Sequence, residues 1–393
     1  MAPHVLVSGA SIAGPALAFW LRRNGFTTTV VERAPALRPG GQTVDLRGAG
    51  LTVVERMGLA DEARARTTGE LGVRFVDRSG RTKAAFGTDS LEGKGFVVDV
   101  ELLRGELAGL LHDHTSADTE YVFGDEITAV RDGDGHVDVV FRHGPDRRFD
   151  LVVLADGLRS RTRGLVFGDR ARYREFGLCT AYFTIPYEES DERWAWWYNA
   201  PGGRTVVLRP DNVGTTRASL SFRGTGPSTV EEQKSFLRGH YADAGWHTPR
   251  VLAGLDRSPD FYFESVAQVR VDRWSEGRVA LLGDAAHCAS PLSGMGTSLA
   301  LVGAYVLAGE LARHADHRDA FAAYEATMRP YVAKAQRVSS LAPRLAAPSS
   351  ALGIRALHAA LGLASSPVAT RLASRFANPP ADAIELPEFA ASR

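Results

Sequence analysis

The stretch that decides the fold is Val5-Leu6-Val7-Ser8-Gly9-Ala10-Ser11-Ile12-Ala13-Gly14. Val5 to Ser8 is a short apolar run that ends at Gly9. Ile12 to Arg23 sets Leu17, Trp20 and Leu21 at helical spacing, and Gly25 stops it. Thr28-Thr29-Val30-Val31-Glu32 is a second β-rich run, so residues 4–32 read as a βαβ unit with a glycine turn between strand and helix. Gly9 permits the tight turn, and Gly14 lets the helix approach the strand closely. The helix N-terminus then offers backbone N–H groups and a positive dipole to a pyrophosphate. Ser11 stands at the middle position of the glycine pattern, so Gly9, Ser11, Ile12, Ala13 and Gly14 form an imperfect but correctly flanked phosphate turn. Glu32 ends the second strand about 20 residues on, where a carboxylate accepts both hydroxyls of an adenosine ribose and repels a 2′-phosphate. Arg33 follows it at the same expected contact.

Outward from this unit, Leu102 to Leu111 reads as a helix. Strands follow near 119–123, 137–142 and 149–154, with Asp132-Gly133-Asp134-Gly135 as a turn between strands. From about 172 to 273 the texture changes to aromatic, alternating runs: 181–185, 194–198, 206–208, 218–222 and 261–271. This pattern predicts an antiparallel sheet with one helix near 229–240. Val279-Ala280-Leu281-Leu282 returns to buried-strand character, and a helical region runs from about 296 onward with Pro330, Pro343, Pro348 and Pro367 as breaks.

Composition excludes several classes of function. The 393 residues carry 46 basic and 46 acidic side chains. A net charge of zero argues against nucleic acid or an anionic membrane surface as partner. Cys179 and Cys288 are the only cysteines, too few for a disulfide framework, and no paired CxxC elements suggest a metal. The longest apolar stretch, Ser298 to Leu311, is interrupted by Gly303, Gly309 and Glu310 and is too short to span a bilayer. With no export signal ahead of the first strand, the expected location is the cytoplasm.

Two further motifs specify the nucleotide. Asp150 to Leu154 runs as a strand into Ala155-Asp156-Gly157 and a basic helix start that includes Arg163. Gly277 to Leu282 runs as a strand into Gly283-Asp284-Ala285-Ala286-His287, then Pro291, Gly294-Met295-Gly296 and a long helix. With these three motifs in this order, the chain resembles the class A flavoprotein monooxygenases, the para-hydroxybenzoate hydroxylase-like family. Within it, the sequence looks most like the tetracycline-inactivating and antibiotic-tailoring enzymes. The resemblance covers nearly the whole chain.

It implies an α/β fold: a Rossmann-like FAD-binding domain with an inserted antiparallel-sheet substrate domain and a C-terminal helix. The FAD-binding domain is expected to be discontinuous, from residues 1–70, 95–171 and 274–345. Residues 71–94 and 172–273 form the substrate sheet, and 346–393 bridge the two. The resemblance also implies site residues. Asp284 matches the carboxylate that meets the ribitol of FAD. Pro291, Gly294, Met295 and Gly296 lie by the pyrimidine edge of the flavin, where the following helix points its dipole at N1 and O2. Met295 stands where many relatives have glutamine. Asp156 belongs to a motif serving FAD and NAD(P)H together. Arg104 resembles the arginine that reaches the FAD phosphate, Asp45 an FAD-contacting aspartate and Arg38 an NAD(P)H-binding arginine; Arg47 and Pro291 are further candidates near the ring.

The implied activity is hydroxylation of an aromatic or polyketide-like small molecule. NADPH or NADH is the transient reductant, and O2 forms a flavin C4a-hydroperoxide. Since the cofactor carries the chemistry, no protein side chain is expected as a catalytic acid, base or nucleophile. The aromatic sheet suggests Tyr182, Trp194, Trp196, Tyr198 and Phe222 as substrate-lining residues. His287 and Cys288 are read as packing residues despite their place in the Gly-Asp motif. The expected assembly is a monomer or homodimer. The alternatives are a flavin oxidase, dehydrogenase or reductase on the same fold, a flavin-binding protein without turnover, and an NAD-binding dehydrogenase.

Overall fold

The computed structural model describes residues 2–38, 40–88, 100–366, 381 and 383–389. The opening unit folds as β1 (His4–Ser8), α1 (Ala13–Arg23) and β2 (Thr27–Glu32). β1 lies centrally in a six-stranded sheet. The other members are β7 (Thr119–Phe123), β11 (Leu151–Leu154), β17 (Ser275–Glu276) and β18 (Val279–Leu281), in the order β17-β18-β11-β1-β2-β7. All pairs are parallel except β17 with β18. The central strands are buried on both faces, which is why they read as continuous valine and leucine runs.

The second large sheet joins β4 (Gly72–Val76) and β5 (Thr82–Gly87) to β12 (Ala171–Pro186), β13 (Ala195–Ala200), β14 (Arg204–Pro210), β15 (Thr215–Arg223) and β16 (Tyr262–Val271), in the order β16-β12-β15-β14-β13-β4-β5. Its pairs are antiparallel except β13 with β4, which are parallel. Helices α6 (Val230–Tyr241) and α7 (Thr248–Leu255) cover one face, burying Leu237, Tyr241, Val251 and Leu255 against Phe183, Leu208, Leu220 and Phe222. The alternation did not reveal α7, a short helix with proline in its first turn.

A two-stranded ribbon of β3 (Thr43–Asp45) and β6 (Glu101–Leu103) lies where the two sheets meet. Helix α4 (Arg104–Asp113) therefore starts at Arg104, not at Leu102, because the preceding residues pair as a strand. A small antiparallel sheet of β8 (Ile127–Asp132), β9 (Val137–Phe141) and β10 (Arg147–Phe149) carries the Asp132–Gly135 turn. Helices α2 (Gly48–Met57) and α3 (Ala60–Ala65) precede the second sheet, and α5 (Arg161–Phe167) follows β11.

After β18 comes the short helix α8 (Asp284–His287), then α9 (Gly296–Arg313) and α10 (His317–Ala335). Helix α9 is the buried centre of the main core. Pro330 lies inside α10 and does not break it. An interior proline costs about 3 kcal/mol, and the burial of Phe321, Tyr324, Met328, Tyr331 and Val332 along the helix outweighs that cost. Pro343 opens α11 (Ala342–Ala346), Pro348 separates it from α12 (Ala351–Ala364), and Pro367 falls outside the described residues. Leu361 of α12 packs on Phe75, Phe86 and Trp197, so the C-terminal helix closes one end of the second sheet. Among the described residues no helix is long and apolar enough to cross a membrane.

Candidate functional site

Three turns stack at the carboxyl ends of β1, β11 and β18, the place where open parallel sheets bind ligands. Backbone hydrogen bonds hold them in step: Gly9 N to Val31 O at 2.8 Å, Ala155 N to Ser8 O at 2.8 Å and Leu282 N to Leu154 O at 2.9 Å. Gly9 has φ +108°, and a Cβ there would lie 2.7 Å from Ala155 O. A Cβ on Gly14 would collide with Gly9 O. The glycine turn, the Asp-Gly turn and the Gly-Asp turn thus form one packed floor. Arg163 ties two of them from below: its guanidinium donates to Ala285 O at 2.8 Å, to Leu158 O at 3.2 Å and to the Tyr173 hydroxyl.

Two helices point uncapped N-termini at this floor. Neither α1 nor α9 has a side-chain cap, whereas α6, α10 and α12 are capped by Thr229, Asp316 and Ser350. The first-turn amides of α1 and α9 therefore remain available to a ligand. The approach to α9 is held open by Ser290, a non-glycine at φ +77°, and by Gly294 at φ +63°. The Ser290 hydroxyl accepts from Leu292 N at 3.2 Å, and Ser293 Oγ accepts from Met295 N at 3.1 Å. Pro291 and Gly294 are exposed. The Met295 side chain is buried, so that position presents only backbone to the cleft. Ser298 is also buried and donates to Arg47 O at 3.2 Å.

At the other end of the cleft, Glu32 accepts from Ala10 N at 3.0 Å and from Ala34 N at 2.8 Å. It lines a pocket with Ser11, Leu37, Arg38 and Arg104. Arg38 is exposed at its rim, and Arg33, next to Glu32 in the chain, is exposed. Arg104 donates to Ser11 Oγ at 3.5 Å, and its Nε is sealed from water without a partner. Asp284 is exposed at the start of α8, and desolvation by the surrounding protein raises its carboxyl pKa, opposed by a hydrogen bond from Cys288 and by the charge of Arg104. Asp156 instead accepts from Ser160 Oγ at 2.6 Å and Thr162 N at 3.4 Å, and burial raises its pKa. Asp45 is ion-paired with Arg47.

These residues fit a flavin dinucleotide. The orphaned Arg104 donor suits a pyrophosphate, Glu32 suits the hydroxyls of the adenosine ribose, and Asp284 suits the polyol chain on the flavin side of the pyrophosphate.

The second sheet turns a polar face to this cleft. Thr180, Tyr182 and Thr184 on β12 lie opposite Ser221, Ser219 and Arg217 on β15, with Thr180 Oγ1 2.9 Å from Ser221 Oγ. Arg217 donates to Asp211 at 2.9 Å, Asp260 at 3.1 Å and Thr184 Oγ1 at 2.6 Å. Arg209 on β14 reaches across to Glu101 and to Thr43 Oγ1, the latter at 2.9 Å. Glu70 lies 3.8 Å from the same guanidinium, and burial pushes its pKa up to about 8.

Tyr182 is on this polar face, where sequence placed it. Tyr198 and Phe222 are not. Both lie on the opposite face, in the core under α6 and α7. Trp196 packs there too, donates to Asp191 O at 2.7 Å, and lines a separate pocket with Arg78, Trp246 and His247. Trp194 precedes β13 and is covered, like Trp196, by the Arg74 guanidinium, at 4.2 Å and 4.9 Å respectively. The physical reason is the two-residue period of the strand: Trp197, not its neighbours, shares a face with Tyr182. Trp197 is in turn packed against Phe75, with ring centroids 5.7 Å apart. His287 is buried against Trp274, without a hydrogen-bond partner, and burial lowers its pKa to about 3. It is a neutral packing residue.

Sequence reasoning missed Glu264, Arg209, Arg217 and Ser290. The alternation Arg217-Ser219-Ser221 was a visible signal for the polar face. Ser290 carried none, because its role lies in its backbone conformation.

The fold and cleft define a flavin-binding oxidoreductase built on a Rossmann-like sheet. The FAD binding domain family matches residues 3–339, so the chain belongs to that family and is a flavin-dependent monooxygenase. It is 43% identical over 340 residues to the uncharacterized protein Rv1260 of Mycobacterium tuberculosis (strain ATCC 25618 / H37Rv), covering 84% of this chain and 91% of that one. It is 37% identical over 338 residues to a flavin-dependent monooxygenase of Legionella longbeachae serogroup 1 (strain NSW150), covering 84% and 85%. Its structure is similar to that of the tetracycline destructase Tet(51), with a TM-score of 0.82 and 31% identity over 99% of this chain and 100% of that one.

Proposed function

We propose that the protein uses NADPH or NADH and O2 to hydroxylate an aromatic or polyketide-like small molecule in the cytoplasm. The observation that carries this reading is the polar face of the second sheet, which opens toward Asp284 and Arg104. Bound FAD supplies hydride acceptance and oxygen activation. The chain's own work is binding, orientation and exclusion of water. Glu32 takes the adenosine ribose, Arg104 and the α1 N-terminus take the pyrophosphate, and Asp284 takes the ribityl chain. The backbone of Pro291, Gly294, Met295 and Gly296 and the α9 N-terminus meet the pyrimidine edge, where positive dipole favours negative charge. Arg38, exposed at the rim, is the candidate to meet a nicotinamide dinucleotide.

The substrate lies against Tyr182, Ser219 and Arg217, a wall of one aromatic ring with hydroxyl and guanidinium groups beside it. Such a wall suits a planar molecule with several hydroxyl or keto oxygens. The likeness to Tet(51) supports the same substrate class.

The test is NADPH oxidation with tetracycline and simple phenols as probes, under isotopically labelled dioxygen, with mass spectrometry of the products. The expected result is probe-stimulated oxidation and one labelled oxygen atom in the product. Conversion of the probe to a product that carries no labelled oxygen would overturn the reading.

A further inference from the structure

Glu264 belongs to no motif, yet it faces the cofactor cleft. On β16 it pairs in register with Thr180, and Tyr262 pairs with Tyr182, so all four side chains share the polar face. The intervening pair, Phe263 with Ala181, points into the core beneath α6. The rings of Tyr182 and Tyr262 stack at 6.4 Å with 19° between their planes. Tyr262 donates its hydroxyl to Glu264 Oε2 at 3.3 Å. Glu264 Oε1 is sealed from solvent and, among the described residues, meets no donor in good hydrogen-bond geometry. A shielded carboxylate oxygen without a donor costs free energy, and a protonated one is a donor in need of an acceptor.

The charged and titratable groups that surround Glu264 are few. Asp284 faces it from α8 and repels its ionised form, while Arg104 faces it from the start of α4 and favours that form. Tyr182 on β12 and Tyr262 on its own strand both have raised pKa values, chiefly through burial, and stay neutral, and the hydroxyls of both favour the ionised form of Glu264. Cys288, beyond α8, is a buried thiol whose pKa is raised well above its ordinary value. Arg38 acts on Tyr262 from the rim. Asp284 and Arg104 are the residues assigned above to the ribityl chain and the pyrophosphate. One cation thus serves two carboxyl groups, and a cofactor carrying phosphate adds more negative charge to the same space.

Resting on the FAD-binding reading, we infer that Glu264 is a further cofactor ligand. It holds its proton in the loaded cleft and donates from Oε1 to bound FAD, so that the Glu264–Asp284 pair carries a single negative charge. The two carboxyl groups divide the work: Asp284 accepts from the cofactor's hydroxyls, and Glu264 donates to an oxygen beside them. Tyr262 is the positioning residue, because its hydroxyl fixes the other oxygen of Glu264. In the cofactor-free protein burial lifts the Glu264 midpoint to about 7. The negative charge of FAD lifts it further, so binding above that midpoint takes up a proton.

The experiment is calorimetric titration of the FAD-free protein with FAD. It is run one pH unit above the Glu264 midpoint, in buffers of different ionisation enthalpy, and the dissociation constant is followed across pH. Wild type is expected to take up close to one proton per FAD, and its Kd to weaken by up to about tenfold per pH unit above the midpoint. Glu264→Gln keeps a donor of the same shape. It should bind FAD with about wild-type affinity below the midpoint, take up no proton, and show a flat Kd across the window. Tyr262→Phe removes the donor to the ionised form, so its pH dependence should move upward. Equal proton uptake in wild type and Glu264→Gln, or FAD binding by wild type without uptake, would overturn the assignment while leaving the cofactor reading intact. Failure of wild type to bind FAD would instead overturn the cofactor reading.

Discussion

The two faces of the seven-stranded sheet come from the same strands, one residue apart, and they do opposite things. On β12 the residues Cys179, Ala181, Phe183 and Ile185 face α6 and α7, while Thr180, Tyr182 and Thr184 face the cofactor cleft. On β15 the same alternation sends Ala218, Leu220 and Phe222 to the core and Arg217, Ser219 and Ser221 to the cleft. The apolar face is where burial stabilises the fold; the polar face is where ligands are oriented. Aromatic content therefore does not mark a substrate wall. Phe222 and Tyr198 are as aromatic as Tyr182, but they are structural because of register alone.

Substitutions on the two faces should therefore fail in different ways. The largest effect belongs to the core face. Phe222→Ala is expected to cost about 3–5 kcal/mol of stability, because the ring is buried among Phe236, His240 and Phe263. Urea denaturation measures it, and a loss below about 1 kcal/mol would place Phe222 outside the core. Arg209→Met probes a place where the polar face is itself structural. It strands Glu101 and Glu70 without their cation. The guanidinium is partly exposed, so the cost should lie near the low end of about 3–5 kcal/mol.

A smaller effect concerns pH. The Glu70 midpoint is raised to about 8 by burial, with Arg209 opposing and Glu101 adding to the shift. The folded chain then keeps a proton that the unfolded chain has already released. Stability should fall as pH rises through the ordinary carboxylate range toward about 8, and level off beyond it. Glu70→Gln should reduce that decline in a series of denaturation curves. An unchanged slope would mean that Glu70 is ionised in the fold. The smallest stability effect is expected at the cleft. Tyr182→Phe should change stability by less than about 1 kcal/mol while altering KM for the hydroxylated probe. A change in stability with no change in KM would reverse the assignment of the faces.

Much of this was legible in the chain, and the limits are physical. The βαβ start, the central strands and the strand runs of the second sheet follow from apolar period and glycine placement, and the structure has them. The three turns at Gly9, Asp156 and Asp284 announce themselves through glycine, demanded at Gly9 by close backbone approach and a positive φ and at Gly157 and Gly283 by a positive φ. What period and motif do not report is which face of a strand meets which neighbour. Trp196 and Trp197 are adjacent, and only the partners Val207 and Phe75 decide which one turns toward the cleft side. Pro330 shows the same limit in a helix, where tertiary burial outweighs a local penalty. Glu264 lay in an alternating run with nothing to mark it, since its meaning depends on Asp284 and Arg104 arriving from distant parts of the chain.

The division of labour between the faces is tested most directly by FAD titration of two variants, each paired with its denaturation curve. Asp284→Ala removes an acceptor from the cleft floor. It should weaken FAD binding by about tenfold to a hundredfold, equivalent to about 1.5–3 kcal/mol, with stability of the cofactor-free protein little changed. Phe222→Leu should lower stability and leave the FAD dissociation constant within about twofold of wild type. Unchanged FAD affinity in Asp284→Ala, or a large loss of affinity in Phe222→Leu, would contradict the account.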